Sequence, residues 1–297
     1  MTHPGHAAHA AHSSHSSHSA HNADTDTDAD AQHDQVDILD LDAEVLAEHI
    51  ASITAWLPVK ADPRHIVDLG CGTGAGTLAL LTRFPDAHVT AVDTSAGHLN
   101  RLREKAEAAG LADHVRTVQA DLDGDWPDLG TPELVWASAS MHHMADPDRT
   151  LRQVHDTLAP GGLFAVVELA GFPRFLPEDA PADRPGLEER CHAAIDHHHA
   201  QQVPHRGADW GTKLAAAGFT VEGERTVTVN MGPPHPDAVG RYALSSLTRM
   251  RGVVAETLPP EDLAAFDRLL DTDSPHGILR RADLTVRTER VVWAARR

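Results

Sequence analysis

The sequence predicts an α/β fold built on a doubly wound, mostly parallel sheet of seven strands. Strand-like runs that are almost continuously apolar alternate with helical runs between residues 65 and 169. This alternation is typical of a parallel sheet covered by helices on both faces. A glycine-rich loop follows the first strand-like run, and two late strand-like runs predict an antiparallel strand at one edge of the sheet.

Residues 1–36 differ in composition from the rest of the chain. Histidine recurs at every third position from His3 to His21, and an Asp-rich stretch with few apolar residues follows. Such a segment buries too little surface to offset its ordering entropy, so we predict a disordered tail over residues 1–36 and a folded domain over residues 37–297. The histidines could bind divalent metal ions weakly, although a flexible tail without a function explains them more simply.

Hydrophobic spacing and helix-ending residues define the elements of the parallel sheet. Leu46, Ile50, Ile53 and Leu57 recur at helical spacing and predict a helix that leads into the first strand. The predicted strands are residues 65–69, 89–93, 115–120, 133–138 and 163–169, and the predicted helices between them are residues 76–84, 95–109 and 149–158.

The chain beyond the fifth strand has a different character. A Pro- and Asp-rich loop precedes a polar helix predicted over residues 187–202. We interpret residues 170–206 as a helical lid insertion, whose closure would expel water from the site. A second helical insertion, residues 231–280, separates two late strands predicted over residues 219–230 and 284–294.

Composition argues against several classes of partner. The formal net charge of −19 and the lack of a basic stripe argue against nucleic acid. The sequence has no run of about 18 apolar residues and no charged start followed by an apolar centre, so we expect neither a membrane span nor a signal peptide. Cys71 and Cys191 are the only cysteines, which favours a cytoplasmic protein. A homodimer is compatible with the sequence.

The loop after the first strand raises the question of which ligand it binds. Residues 65–76 read HIVDLGCGTGAG, and glycines let a backbone approach a nucleotide closely at the carboxyl end of a parallel strand. Gly70, Gly72 and Ala75 satisfy the relaxed dinucleotide fingerprint, so a nicotinamide dinucleotide is one candidate. Asp68 favours another, because a carboxylate there would repel a pyrophosphate but attract an ammonium or sulfonium group.

Two further acids stand at the ends of strands of the same sheet. Asp93 ends the second strand, where a carboxylate can accept hydrogen bonds from both hydroxyls of a ribose. Asp121 stands just past the third strand, in reach of the exocyclic amine of an adenosine. A ligand of an open parallel sheet lies beyond the carboxyl ends of its strands, so both acids are placed to contact one nucleoside.

Five motifs, in order and spacing, resemble those of the class I S-adenosylmethionine-dependent methyltransferases, which have a Rossmann-like fold. They are VDLGCGTG at 67–74, AVDTS at 91–95, QADLDGDWP at 119–127, LVWASASMHHM at 134–144 and LAPGGLFAVVEL at 158–169. The stretch that begins at Met141 is similar to the small-molecule branch of the family, of the ubiquinone-biosynthesis and natural-product type. The resemblance implies S-adenosyl-L-methionine as cofactor and methyl transfer to oxygen, nitrogen or carbon of a small-molecule acceptor.

The resemblance also implies roles for individual positions. Asp68 would face the methionine amino group, and Ser138 would lie close to the methionine part. The loop residues would pass under the cofactor, and the residues after the second and third strands would hold its ribose and adenine. The positions concerned are Gly70, Cys71 and Gly72 in the loop, Asp93 and Thr94 at the ribose, and Asp121 and Leu122 at the adenine.

Methyl transfer from a sulfonium depends on alignment and needs a base only where the acceptor carries a proton. His142 and His143 follow the fourth strand, beside the expected methyl group, and an imidazole suits this role. We take His143 as the first candidate for the base and His142 as the second; alternatively, one of the two only packs against the cofactor. Glu168 ends the fifth strand and either points at the same cleft or is solvated.

Three residues of the predicted lid helix share one face. His192 and Asp196 could bind a metal ion or a carboxylate of the acceptor, and His199 lies one turn further along. No fourth ligand has a suitable spacing, so we predict no metal site. A competing interpretation of the whole chain is a protein that binds S-adenosylmethionine but catalyses a reaction other than methylation, or acts only as a binder.

Overall fold

The computed structural model describes residues 35–203 and 205–297. The predicted tail lies outside these residues, except for residues 35 and 36, which belong to the first helix. The strands are β1 His65–Leu69, β2 His88–Asp93, β3 Val115–Gln119, β4 Leu134–Ser138, β5 Leu163–Leu169, β6 Thr220–Met231 and β7 Val286–Arg296. The helices are α1 over residues 35–45, α2 Ala47–Trp56, α3 Ala75–Arg83, α4 Ala96–Ala108, α5 Pro147–Thr157, α6 Leu187–Gln202, α7 Trp210–Ala216, α8 Asp237–Val253 and α9 Pro260–Leu270.

The seven strands form one sheet in the order β3-β2-β1-β4-β5-β7-β6. The first five are parallel, and the strand order reverses between β1 and β4, which pair from Ile66 with Leu134 to Leu69 with Ala137. Such a reversal opens a crevice beyond the carboxyl ends of the two strands, because the connections that follow them run to opposite sides. The predicted Rossmann-like α/β sheet is confirmed, and the glycine loop begins at this crevice.

The two C-terminal strands extend the sheet in the opposite sense. β7 is antiparallel to β5, from Leu163 with Arg296 to Leu169 with Arg290, and it is also antiparallel to β6. The antiparallel strand therefore lies next to the edge of the sheet, and β6 forms the edge itself. The pairing of β5 with β7 continues beyond β5, since Ala170 donates its N–H to the carbonyl of Glu289.

Both faces of the sheet bury apolar side chains. Val67 and Leu69 of β1 pack in a cluster with residues of α5 and α7, whereas Ile66 packs in a second cluster with residues of α2 and α3. Side chains alternate along a strand, so Asp68 shares the face of Ile66. Its carboxyl group is thereby directed towards α3 and its buried surroundings.

The two predicted insertions pack together. Residues of α6, α8 and α9 share an apolar cluster with residues of α1 and the ends of β6 and β7. Within it the rings of Phe175 and Tyr242 form a T-shaped pair with a centroid separation of 5.1 Å. Asp262 of α9 is fully buried and accepts hydrogen bonds from Arg184 and Arg190 at the start of the α6 segment. We call residues 170–206 and 231–280 together the helical cap.

Helix α1 ties the cap to the rest of the domain. Asp42 accepts hydrogen bonds from Tyr242 of α8 at 2.6 Å and from the guanidinium of Arg290 in β7 at 2.6 and 2.9 Å. Arg290 is only 7% exposed, so Asp42 neutralises a cation that has little access to water. Helix α1 also contacts α4, because its Asp40 forms ion pairs with Arg101 and Lys105 on successive turns of α4.

None of the helices within residues 35–203 and 205–297 combines the length and the apolar composition that a bilayer-spanning helix requires.

Replacing Asp42 should destabilise the domain, because Arg290 would remain buried without its counter-ion. We expect Asp42→Ala to lower the free energy of unfolding by roughly 2–4 kcal/mol in a urea titration. Asp86→Ala is the matched control, since Asp86 pairs with Arg64 where both side chains are more than 70% exposed, and it should change stability by less than about 1 kcal/mol. Equal effects of the two substitutions would contradict this role for Asp42.

Candidate active site

The glycine loop follows β1 and crosses in front of β4. Gly70 has a φ of +67°, and a Cβ built on it would lie 2.4 Å from the Cβ of Ser140, the second residue beyond β4. Ser140 in turn donates a hydrogen bond from its hydroxyl to the carbonyl of Leu69 at 2.8 Å. Only glycine meets both the conformational and the spatial requirement here. The loop is thereby pressed against the end of β4, and its backbone is bare at the crevice.

Asp93 holds the loop from the neighbouring strand. Its Oδ2 accepts a hydrogen bond from the N–H of Gly72 at 2.9 Å, and its Oδ1 accepts one from the N–H of Ser95 at 2.9 Å. The imidazole of His98 lies 3.2 Å from the same Oδ1. Burial by itself raises the pKa of Asp93, but the hydrogen bonds from His98, Ser95 and Gly72 outweigh it and lower the pKa below the ordinary value. Asp93 is therefore a carboxylate at neutral pH.

His98 is a residue of this site that the sequence prediction missed. It is 8% exposed, its Nδ1 faces Asp93, and its Nε2 is buried without a hydrogen-bond partner among the described residues. An orphaned polar atom beside the ribose-binding candidate fits a site shaped for a nucleoside. The sequence feature that could have identified His98 is its position in the first turn of α4, three residues after the capping residue Ser95.

Asp68 lies beneath the loop. It is 2% exposed, and its Oδ2 accepts a hydrogen bond from the hydroxyl of Thr77 in α3 at 2.6 Å. Burial raises the pKa of Asp68 to about 7, although the hydrogen bond from Thr77 opposes this shift. The group therefore titrates near neutrality. Its influence on a ligand in the crevice is electrostatic, because the side chain has almost no accessible surface for a direct contact.

The other predicted cofactor-binding residues occupy the same edge of the sheet. Cys71 is buried, which raises the pKa of its thiol and leaves it protonated. Thr94 is exposed just past β2, and Ser138 is half-buried at the end of β4. Asp121 is exposed just past β3, whereas Leu122 is buried in the apolar core. The carboxyl ends of four parallel strands thus carry the predicted set.

A histidine and a glutamate are joined where β4 and β5 end. The Nδ1 of His142 lies 2.5 Å from Oε2 of Glu168, and the other oxygen of Glu168 accepts a hydrogen bond from the N–H of Met141 at 3.0 Å. His142 is 8% exposed and Glu168 is 5% exposed. Because Glu168 fixes Nδ1, Nε2 is the ring nitrogen left for another partner. Glu168 is therefore a buried partner of His142 rather than a solvated strand end.

The turn that carries His142 is conformationally strained at its start. Ala139 has a φ of +51°, an uncommon value for a residue with a side chain, and donates its N–H to the carbonyl of Val167. Such outliers persist where surrounding contacts enforce them and are common at functional sites. His143 is exposed in the same turn, with its ring centroid 4.1 Å from that of His142.

The predicted lid residues are only partly described. His192 is 3% exposed and Asp196 is exposed on the same helix α6, whereas the side chain of His199 lies outside the described residues. Within the described part of the chain, no three or more His, Cys, Asp or Glu side chains come together as a metal site would require.

Comparisons with known proteins agree with the geometry. Residues 66–162 match a family model described as a methyltransferase domain. A trans-aconitate 2-methyltransferase of Paracidovorax citrulli is 39% identical over 115 residues, which cover 38% of this chain and 42% of that protein. A malonyl-acyl-carrier-protein O-methyltransferase of Dechloromonas aromatica is 37% identical over 108 residues, covering 36% of this chain and 37% of that protein. The chain thus spans about two fifths of the length of these curated relatives.

Two solved structures share the fold over most of the chain. The crystal structure of a protein from Bacillus halodurans C-125 aligns with a TM-score of 0.51 at 19% identity, over 84% of this chain and 98% of that one. The (4+2)-cyclase SpnF aligns with a TM-score of 0.50 at 20% identity, over 84% of this chain and 80% of that one. The motif order and the strand topology agree with the match of residues 66–162 to a methyltransferase domain.

Proposed function

We propose that this protein binds S-adenosyl-L-methionine and transfers its methyl group to a small-molecule acceptor. The observation that carries the proposal is the loop from Gly70 to Gly72, bare at the strand-order reversal and fixed by the ionised Asp93. In this proposal the loop, including Cys71, passes under the cofactor. Asp93 and Thr94 bind the ribose, and Asp121 and Leu122 bind the adenine.

The methionine end of the cofactor lies, in this proposal, between the ends of β1 and β4. Ser138 is half-buried at the end of β4, and Asp68 contributes negative charge from beneath the loop. A protonated amino group favours the ionised form of a buried carboxyl group, whereas a pyrophosphate disfavours it. The buried acid thus supports an aminoacyl nucleoside over a dinucleotide. Bound at this place, the cofactor supplies an activated methyl group on a sulfonium.

The residues after β4 supply the base where the acceptor carries a proton. His142 and His143 are the candidates, and the 2.5 Å contact with Glu168 favours His142. A carboxylate on Nδ1 fixes the tautomer and stabilises the imidazolium that forms when Nε2 takes up a proton. His143 has the greater exposure and stands next to it. We therefore place His142 first and His143 second.

The acceptor class is part of the proposal. The relatives are named for trans-aconitate and for malonyl-acyl-carrier protein, which supports a small acceptor. We further propose that the protein acts in the cytoplasm, in keeping with Cys71 and Cys191, which are both free and buried.

Incubation with cofactor labelled in the methyl group tests the proposed activity. We expect label to appear in at least one acceptor of a panel of small acids, phenols and amines that includes trans-aconitate. A protein named as a cyclase shares the fold, so cofactor binding and methyl transfer have to be measured separately. Binding of S-adenosylhomocysteine in calorimetry, together with acceptor turnover that leaves the labelled cofactor unchanged, would contradict methyl transfer.

Substitutions at the histidine pair test the proposed base. His142→Asn and Glu168→Gln should each lower kcat by about 10²-fold or more, with little change in the affinity for S-adenosylhomocysteine, because the base acts only in the chemical step. His143→Asn should have a much smaller effect. His276→Asn, at an exposed position, is the matched control. A His142→Asn variant that keeps the full rate would remove His142 from the mechanism.

A further inference from the structure

A cavity lies beyond the end of β5, between the helical cap and the two C-terminal strands. Its volume is about 450 Å³, which suits a small organic molecule. The chain that leaves β5 forms one wall, helix α6 contributes another through His192 and Asp196, and β6 with β7 closes the third side. Ala170 and Phe172 make part of the lining apolar.

The cavity begins next to the proposed base. Glu168, the partner of His142, stands two residues before Ala170, which lines the cavity. Ala170 is held in line with β5, because its N–H donates to the carbonyl of Glu289 in β7. A molecule in this cavity would therefore lie beyond the end of β5, close along the chain to the partner of the proposed base.

Three polar groups of the cavity lining are buried and lack a partner among the described residues. They are Nε2 of His192, the hydroxyl of Thr288 and Nε of Arg287. His192 and Thr288 are 3% and 7% exposed, so water does not solvate them freely. Buried polar groups in native proteins almost always have a partner, and unpaired ones lining a cavity indicate a ligand that pairs with them.

The unpaired groups are donors or can act as donors. The Nε of Arg287 carries a hydrogen and cannot accept, and a hydroxyl donates readily. Another nitrogen of Arg287, Nη2, donates to the carbonyl of Leu176 at 2.5 Å, which fixes the guanidinium. Burial, together with the charges of Arg174, Arg206 and Arg287, lowers the pKa of His192 to about 4, so its ring is neutral at pH 7 and carries a single N–H.

The acids around the cavity already have partners. Glu289 accepts a hydrogen bond from the hydroxyl of Thr228, and Asp196 interacts electrostatically with Arg206. Arg174 pairs with Glu189, and Arg287 stands 3.9 Å from Glu188. The unpaired donors of the cavity lining therefore require a ligand with hydrogen-bond acceptor oxygens. A singly charged, planar carboxylate matches it better than a phosphate, whose second charge Asp196 and Glu289 would repel.

We propose that this cavity binds the acceptor through a carboxylate at the edge of β7, to which Arg287 and Thr288 donate from the two faces of the strand while His192 closes over it from α6. The proposal rests on the proposed function, since it places the acceptor beside His142. It makes the acceptor a small carboxylic acid, anchored at one end and presented to the cofactor at the other. The cap then selects the acceptor as well as covering it.

Calorimetric titrations of the full chain test this site, with and without S-adenosylhomocysteine. The probes are succinate, glutarate and citrate, each compared with its methyl ester. We expect the acids to bind and the esters to bind at least about tenfold more weakly, since a charged hydrogen-bonded contact is lost. Thr288→Val keeps the shape of the side chain and Arg287→Lys keeps the charge, and each should weaken binding of the acids by about tenfold.

Arg249→Gln, on the exposed side of α8, is the control and should leave carboxylate binding unchanged. Acids that bind no better than their esters, or unchanged binding in both Thr288→Val and Arg287→Lys, would overturn the proposal, as would tighter binding of inorganic phosphate than of any acid. Failure of S-adenosylhomocysteine to bind would instead reject the proposed function, while the titrations without it would still decide the carboxylate site.

Discussion

A carboxyl group buried beneath the glycine loop is the constraint on which the site depends. Asp68 has 2% of its surface exposed, and among the described residues its carboxyl group accepts a side-chain hydrogen bond from Thr77 alone. An uncompensated buried charge is costly, so its pKa rises to about 7 and the group is poised between two states. At an effective dielectric constant of 20, an ammonium about 6 Å away would favour the ionised state by roughly 3 kcal/mol. Asp68 can therefore discriminate between ligands by their charge, although the glycine loop above it carries no charged side chain.

Three acids towards the carboxyl ends of parallel strands have different surroundings and therefore different roles. Asp93 receives hydrogen bonds from two backbone N–H groups and faces His98, which keeps it ionised. Glu168 is also buried but joins His142 to the backbone of Met141. Within the described part of the chain, Asp68 accepts a side-chain hydrogen bond from Thr77 and from no other residue. A carboxyl group thus fixes the loop at Asp93, orients His142 at Glu168 and responds to nearby charge at Asp68.

The helical cap packs against the last two strands of the sheet, next to the site. Asp42 of helix α1 contacts both Tyr242 of the cap and Arg290 of β7, so α1 joins the cap to the last strand. β7 carries both Arg290, which secures the cap, and Thr288, which lines the cavity beyond β5. The two positions are two residues apart and share one face of the strand, so a structural and a ligand-facing position lie close together.

Much of the parallel half could be predicted from sequence, because its signals are local. The strands and helices from His65 to Leu169 follow from apolar runs and from glycine stops such as Gly110, whose φ is +70°. The partners of side chains could not be predicted, since they depend on non-local register. The contact of His142 with Glu168 spans 26 residues, and the insertion of β7 between β5 and β6 depends on pairing over more than a hundred. The hydrogen bond from Thr77 to Asp68 beneath the loop could not be predicted either, because it depends on how α3 packs against β1.

Titration of S-adenosylhomocysteine into the wild-type protein and the Asp68→Asn variant between pH 5.5 and 7.5 tests the central claim most directly. The amino group of the ligand stays protonated over this range, whereas Asp68 ionises as the pH approaches about 7. We expect the wild-type affinity to rise with pH, by up to about tenfold per unit, and the affinity of the variant to stay nearly constant. Identical pH profiles for the two proteins would contradict electrostatic selection of the ligand by the buried carboxyl group.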